Sequence, residues 1–457
     1  MKCGLGATAA HQLPRDRNSS GRIAPYGETY HTDFHTIRAD GRRRRWRIDL
    51  RRMALSQPLL LFDHPAQMEP LLPGEQRAGP LLEQAADLIR AAERLAGQCR
   101  PGALAGLRRL LRAMNSYYSN KIEGQHTLPL ELEQALRNDY SLDADKARRQ
   151  RLAVAHMATE QSLEARWASW TTQDCWSAQM VRDIHQDLFA RLPAADRVLS
   201  DGASVLEPGA WRTREVSVGR HAAPAARSLP DFLARWGGFY AGVRRGEMQV
   251  LAAAAAHHRL AWIHPFADGN GRVARLHPHL LLGQMGLTNG VWSPLRGFAR
   301  TQETYYARLA DADAPRAGDL DGRGNLSEQG LVQWVGYVLA QCLDQVQFMA
   351  GLLDLQGMQE RMAACLSYEQ SVVRQGVRLE ALRALHYLFA TQSELDRADF
   401  KGMLGLGERL ATAQVSALLK RGLLESDSPY GRLRLGVPLH ALRFLLPGLW
   451  PEAEAGR

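Results

Sequence analysis

Cysteine is scarce and unorganised in this chain of 457 residues. The five present, at 3, 99, 175, 342 and 365, form no C-x-x-C pair and keep no zinc-like spacing from histidine. That excludes a disulfide-stapled scaffold and a zinc module, and it points to a reducing compartment. Long apolar runs are missing too. Crossing a bilayer takes roughly 18 consecutive apolar residues, and the stretch from Val250 to Ala256 is far too short. The N-terminus has no apolar core of signal-peptide type, and no internal repeat recurs. A cytoplasmic protein without a membrane partner is expected.

Charge is present but unevenly placed. The formal net charge is +9, and residues 1–52 hold twelve Lys and Arg against five Asp and Glu, leaving a surplus of only two for the rest. The basic character therefore belongs mostly to an N-terminal tail containing "RRRRWR" (Arg42 to Arg47). That tail lacks helical or strand periodicity. It reads as a disordered extension, or as a segment upstream of a true start at Met53, with a nucleic-acid arm as the alternative.

The composition, 45% hydrophobic and 23% charged, is that of a globular chain large enough for two or three domains. From Leu81 the text is strongly helical. "LLEQAADLIRAAERLAG" and "LAGLRRLLRAMNSYYSNKIEG" carry apolar residues at helical spacing and end on glycine. Thr127 is expected to cap the next helix, with Pro129 in its first turn. Further helices are expected around 152–167, 178–188, 230–244, 248–262 and 328–355. One interruption, Pro208 to Pro230, alternates Val216 and Val218 around Ser217 before Gly219, which reads as a short β-hairpin. After Gln375 come three helical stretches, 379–389, 398–404 and 408–420, and then two β-like runs around Ser-Pro-Tyr-Gly. That order is the outline of a winged helix.

The chemistry concentrates in "IHPFADGNGRVAR", Ile263 to Arg275. A Gly269-Asn270-Gly271 turn opening a helix presents free N–H groups and the positive dipole end to an anion. Arg272 and Arg275, three apart, share a helix face, and their guanidinium forks suit phosphate oxygens. Asp268 offers a hard oxygen for Mg²⁺. His264 can accept a proton near neutral pH. No Gly-Lys-Ser/Thr follows, and helix rather than strand precedes, so neither the P-loop nor the dinucleotide fingerprint fits. Each part alone is commonly structural; their joint occurrence within twelve residues points to phosphoryl or nucleotidyl transfer.

The stretch His264 to Arg275 resembles the Fic motif, H-P-F-x-D-G-N-G-R-x-x-R, at every specified position. The resemblance implies a mainly helical Fic-type bundle that transfers AMP from ATP to a Ser, Thr or Tyr hydroxyl of a protein. It implies roles residue by residue: His264 as base, Asp268 as Mg²⁺ ligand, Gly269, Asn270 and Gly271 as anion hole, Arg272 and Arg275 as phosphate clamp, Phe266 as anchor in the core. "PG-x-x-R-T-x-x-V-x-V-G" (Pro208 to Gly219) looks like the family's flap, with Val216, Ser217, Val218 and Gly219 adding a strand to the target segment. The stretch from Gly318 to Val346 also looks like the family's downstream region. Pro278, three residues past Arg275, departs from the pattern and predicts a bend in the motif helix.

"SNKIEG" (Ser119 to Gly124) ends an upstream helix, where a glutamate is mildly disfavoured by the dipole and wants a partner. It resembles the family's inhibitory motif, S/T-x-x-x-E-G/N, at Ser119, Glu123 and Gly124. The resemblance implies that Glu123 reaches Arg275 and occupies the γ-phosphate position, so that the chain inhibits itself through an N-terminal helix. In some relatives the glutamate is also described as orienting water to remove AMP.

In the C-terminal module, Leu410, Val415, Leu418 and Leu419 are expected in the core. Thr412, Ser416 and Lys420, with Arg409, Gln414 and Arg421 nearby, are expected on an outward face that contacts DNA or a protein. The expected layout is a basic tail (1–52), an N-terminal helical region with the inhibitory helix (53–150), a Fic domain (151–356) and a winged helix-turn-helix domain (376–447). The expected partners are ATP, Mg²⁺, a hydroxyl-bearing protein that includes the chain itself among the candidates, and a second copy in a homodimer. Two rival readings remain: a DNA-bound regulator whose Fic fold senses nucleotide, and a Fic enzyme using another donor.

Overall fold

The computed structural model describes residues 62–450 apart from 100, 220, 245, 392 and 393, and without the side chains of 101–105 and 167. The basic tail and Cys3 lie outside the described residues. What is described is mainly helical. At the centre runs α7 (Glu247–Ile263), in which all but a few residues are buried. A helix apolar on every side must be wrapped on every side. Its Ala252–Ala256 run is small enough for neighbours to approach closely, and Trp236 and Trp334 donate indole N–H bonds to its carbonyls at Ala256 and Ala254.

Helices α1 (Glu75–Gln98), α6 (Leu229–Ala241), α8 (Asn270–Gln284) and α11 (Glu328–Leu352) pack around α7. Helix α2 (Pro101–Ile122) lies against α4 (Ala144–Glu164), and α9 (Leu295–Arg300) packs on α2. Helix α3 (Pro129–Leu136) lies on α4, α5 (Ala178–Ala190) sits between α4 and α8, and α10 (Gln302–Asp313) lies along α11. The strands β1 (Ser217–Val218) and β2 (His221–Ala222) form the expected hairpin, antiparallel with Ser217 opposite Ala222.

The C-terminal part runs through α12 (Leu355–Tyr368), α13 (Leu382–Ala390), α14 (Arg397–Leu404) and α15 (Glu408–Lys420). It ends in β3 (Leu424–Glu425) and β4 (Arg434–Leu435), paired antiparallel. Three helices and a hairpin therefore follow in the order read from the sequence. One continuous hydrophobic core reaches from Met68 to Trp450. Helix α13 and β4 pack on α2, and Tyr118 donates its hydroxyl to the Leu449 carbonyl at 3.2 Å.

Several expectations need correcting. Helix α1 starts at Glu75, ahead of Leu81, because the N–H of Gly74 is held at 2.6 Å by Glu328 Oε1, 254 residues away. Helix α4 starts at Ala144, ahead of 152, where Asp143 caps the N–H of Lys146 at 2.9 Å. Thr127 does not cap α3: Leu128 holds the cap position, and its N–H bonds Glu131 Oε2 at 3.1 Å. Pro278 does not end helix α8, which runs through it to Gln284. In α15 the buried stripe is Ala411, Gln414, Val415 and Leu418, at spacings of three, four and seven. Leu410 falls beside that stripe and is 49% exposed, so it is not a core residue. Gln414 lies within it and donates Nε2 to the Arg378 carbonyl at 3.2 Å, so it cannot face a partner. Arg421 is also engaged, pairing with buried Glu369 at 2.6 Å. Arg409, Thr412, Ser416 and Lys420 are exposed, as expected of an outward face.

Candidate active site

The motif loop joins α7 to α8. His264 terminates α7 in the left-handed region (φ 51°, ψ 60°), a conformation costing a non-glycine residue about 1–2 kcal/mol. Arg212 supports it. Its Nε donates to the His264 carbonyl at 2.8 Å, Nη1 to the Arg214 carbonyl at 3.0 Å and Nη2 to the Pro224 carbonyl, while its own N–H bonds the Pro265 carbonyl at 2.9 Å. Asn270 braces the loop from within: Oδ1 accepts from Phe266 N–H at 2.9 Å and Nδ2 donates to the Phe266 carbonyl at 2.8 Å. Phe266 is fully buried and stacks on His185, ring centroids 3.8 Å apart and nearly parallel. His185 accepts from Gly209 N–H on Nδ1 at 2.9 Å, so Nε2 carries the proton that faces the Asp268 carbonyl at 3.2 Å. Burial lowers the His185 pKa to about 4 and keeps that ring neutral.

This scaffold leaves the chemical groups on one side. The His264 ring is half-buried. Burial, with help from His221 on β2 and from Arg212, lowers its pKa to about 4. It is thus a neutral imidazole at physiological pH, able to take a proton. Asp268 is exposed, and its Oδ1 accepts Gly269 N–H at 2.6 Å. Gly269 sits at φ 80° as the cap position of α8. Asp268 and Arg272 line one recess together with Gln125, Arg148, Arg197 and Asp196, three guanidiniums beside two carboxylates.

The end of α2 reaches into the same place. Arg275 is 1% exposed. Its Nε donates to Ser119 Oγ at 3.2 Å, and its Nη2 to the Ser119 carbonyl at 3.0 Å and to Glu123 Oε1 at 2.7 Å. Arg272 donates Nε to Asn120 Oδ1 at 3.0 Å and Nη2 to Gln125 Oε1. Burial opposes ionisation of Glu123, but Arg275 and Arg272 outweigh it and hold the carboxyl below its ordinary range. Gly271 makes room for this: a Cβ there would overlap Glu123 Oε1 and lie 3.0 Å from Arg275 Nη1. An anion already occupies the cradle over the N-terminus of α8, held by the guanidinium the sequence assigned to phosphate. That cradle fits a phosphate oxygen, and Asp268 beside it fits a hard cation.

The turn after Glu123 is a Schellman motif. Gln125 N–H bonds the Asn120 carbonyl at 2.8 Å and Gly124 N–H the Lys121 carbonyl at 3.0 Å, with Gly124 at φ 69°. The Ile122 carbonyl is held from α10 by Gln302 Nε2 at 3.1 Å and the Tyr306 hydroxyl at 2.8 Å. The sequence reading did not single out Arg212, His185, Asn120, Gln125, Gln302 or Tyr306. Only Arg212 left a signal, as the arginine of the flap pattern.

Residues 175–282 match the family model described as the Fic/DOC family. The chain therefore carries a Fic/DOC family domain over these residues. Its curated Fic relatives include the protein adenylyltransferase Fic of Culex quinquefasciatus, 39% identical over 82 residues, which are 18% of this chain and 16% of the relative. Another is the protein adenylyltransferase Fic of Drosophila mojavensis, 33% identical over 24% of this chain and 22% of the relative. The chain thus spans less than a quarter of the length of these relatives. Among solved structures, a Fic family protein from Desulfovibrio desulfuricans G20 aligns at 20% identity and TM-score 0.45, covering 78% of this chain and 96% of that one. Fic-1 (residues 134–508) from C. elegans aligns at 18% identity and TM-score 0.43, covering 60% of this chain and 75% of that one.

Proposed function

We propose that this chain is a protein adenylyltransferase whose active site is closed by the end of its own helix α2. The observation that carries the reading is the Glu123–Arg275 pair, 2.7 Å apart across the cradle of an intact Fic loop. On this reading the target hydroxyl attacks the α-phosphorus of ATP, pyrophosphate leaves, and the hydroxyl proton passes to the imidazole of His264. Gly269, Asn270 and Gly271 line the anion hole, and Arg272 and Arg275 hold the outer phosphates. Asp268 is the residue that would hold Mg²⁺, and that ion supplies charge neutralisation along the polyphosphate when bound. Val216, Ser217, Val218 and Gly219 align the target, with the outer edge of β1 available for strand addition. The exposed set Arg409, Thr412, Ser416 and Lys420 is assigned to partner docking. A gel shift that weakens steeply with salt would reassign it to DNA.

A carboxylate on Arg275 competes with ATP for the same guanidinium. Removing it in Glu123→Gly should raise labelling by [α-³²P]ATP at least about tenfold, the equivalent of ~1.4 kcal/mol. Mass spectrometry of that variant after incubation with ATP and Mg²⁺ should show AMP on a Ser, Thr or Tyr. Equal labelling of variant and wild type would refute self-inhibition. Labelling that survives His264→Ala would remove His264 as the base.

A further inference from the structure

One turn beyond Arg275 on α8, His279 points into a second buried polar group that the transfer reaction does not use. His279 is 2% exposed, and across from it on α4 stand Glu160, 1% exposed, and Glu164. Glu160 and Glu164 are one helical turn apart and so share a face. His279 Nε2 lies 3.2 Å from Glu160 Oε1 and 3.9 Å from Glu164 Oε1, yet it makes no hydrogen bond of acceptable geometry. The three donor atoms fall within 4.8 Å of one another.

The surroundings are unusually unsatisfied for a protein interior. His156, fully buried on α4, has neither ring nitrogen bonded, and its Nδ1 stands 4.0 Å from Glu160 Oε2, itself without a partner. A buried polar atom left unbonded costs about 1–3 kcal/mol, and here several meet in one place. Both carboxylates are held from α2. Asn115 Nδ2 donates at 2.7 Å to Glu160 Oε1, the oxygen that also faces His279, and Arg112 Nε donates at 2.7 Å to the outer oxygen of Glu164, Oε2.

We propose that Glu160, Glu164 and His279 bind a divalent transition metal of the zinc type, with His156 as the adjacent fourth ligand. Metal–donor distances of about 2.0–2.2 Å place neighbouring donors about 3.0–3.5 Å apart; His279 to Glu160, at 3.2 Å, already meets that, while the separations of 3.9 Å to Glu164 and 4.0 Å from His156 to Glu160 have to contract on binding. Imidazole beside carboxylate selects zinc, manganese or iron over magnesium and calcium, which take oxygen. Arg112 and Asn115 form the hydrogen-bonded outer shell that metal-binding carboxylates require. The ion would tie α4 to the motif helix α8, while its outer shell recruits α2, the helix that carries Glu123. Without an ion, the same two carboxylates favour a protonated His279 against the opposing effect of burial, and a plain ion-pair network remains. The test separates the two states.

Full-length protein is stripped with chelator, reloaded with Zn²⁺, passed through a desalting column in excess Mg²⁺ and assayed for zinc by mass spectrometry. The expected result is about one zinc per chain and a higher melting temperature than the stripped protein. Glu160→Gln and His279→Gln should retain tenfold less zinc, and Arg112→Ala or Asn115→Ala should weaken binding by about 10–100-fold. Asp268→Ala should keep its zinc, and losing it would place the ion at the phosphate site and overturn the proposal. Variants that fail to fold are bypassed by Co²⁺ added to stripped wild type, where zinc-displaceable ligand-field bands are expected. Neither zinc retention nor such bands in wild type would leave an ion-pair network only. None of these readouts depends on transfer activity.

Discussion

At the scale of single residues, Arg275 is the contested group and Gly271 the position that permits the contest. A methyl group on residue 271 would meet Glu123 Oε1 and crowd Arg275 Nη1 at 3.0 Å. Gly271→Ala should therefore lose ATP affinity even beside Glu123→Gly, by about tenfold or more as read by calorimetric titration. The pH behaviour follows from two lowered pKa values. Glu123 is held below its ordinary 4.5, so the pair is fully formed above that value and is lost only as pH falls through the depressed one. His264, lowered to about 4, stays neutral over the same range. The labelling ratio of Glu123→Gly to wild type should hardly change between about pH 7.5 and 5.5, above both groups. A ratio collapsing near pH 6.5 would point instead to an unshifted histidine as the controlling group.

At the scale of elements, the loop from His264 to Gly269 is braced by separate segments. Arg212 places donors on the His264, Arg214 and Pro224 carbonyls. Truncating a buried guanidinium leaves those acceptors unpaired at about 1–3 kcal/mol each. Arg212→Ala should lower the melting temperature and reduce turnover of the Glu123→Gly form more than its ATP affinity. Gly124, at φ 69°, is the other local requirement. Gly124→Ala should cost about 1–2 kcal/mol, a value for left-handed backbone at a non-glycine residue, and raise basal labelling by loosening the turn that presents Glu123.

At the scale of the whole molecule, the C-terminal helices and hairpin share one core with the rest, with the Trp450 ring tilted against Tyr117 of α2, centroids 5.8 Å apart. Differential scanning calorimetry should show one cooperative transition for the described body, and two resolved peaks would show that the C-terminal part folds apart. How much was legible follows from distance along the chain. The loop from His264 to Arg275 could be read directly because turn, anion cradle and clamp are contiguous. Glu123 could be seen to want a partner, but its partner lies 152 residues away, and only a family resemblance named it. Of the outer bracing only Arg212 left a local pattern, as the arginine of the flap stretch, and the cluster of Glu160 with His279 left none, since it joins helices far apart in sequence. The misplacement of Leu410 and Gln414 has another cause. A polar amide can take a core position when a carbonyl waits for it, and hydropathy periodicity does not register that carbonyl.

The group that closes the site is carried at the very end of a helix, and that turn is held by the Schellman pair, by the two donors on the Ile122 carbonyl and by the guanidiniums of Arg272 and Arg275, which ATP would claim. Helix ends fray while their interiors stay formed. Opening the site then requires unwinding a single turn, with the rest of α2 still packed. On the proposed function, background activity is a readout of how often that turn comes undone. It should climb more steeply with temperature in wild type than in Glu123→Gly, where nothing is left to unfasten. The protein would keep time by the melting of four residues.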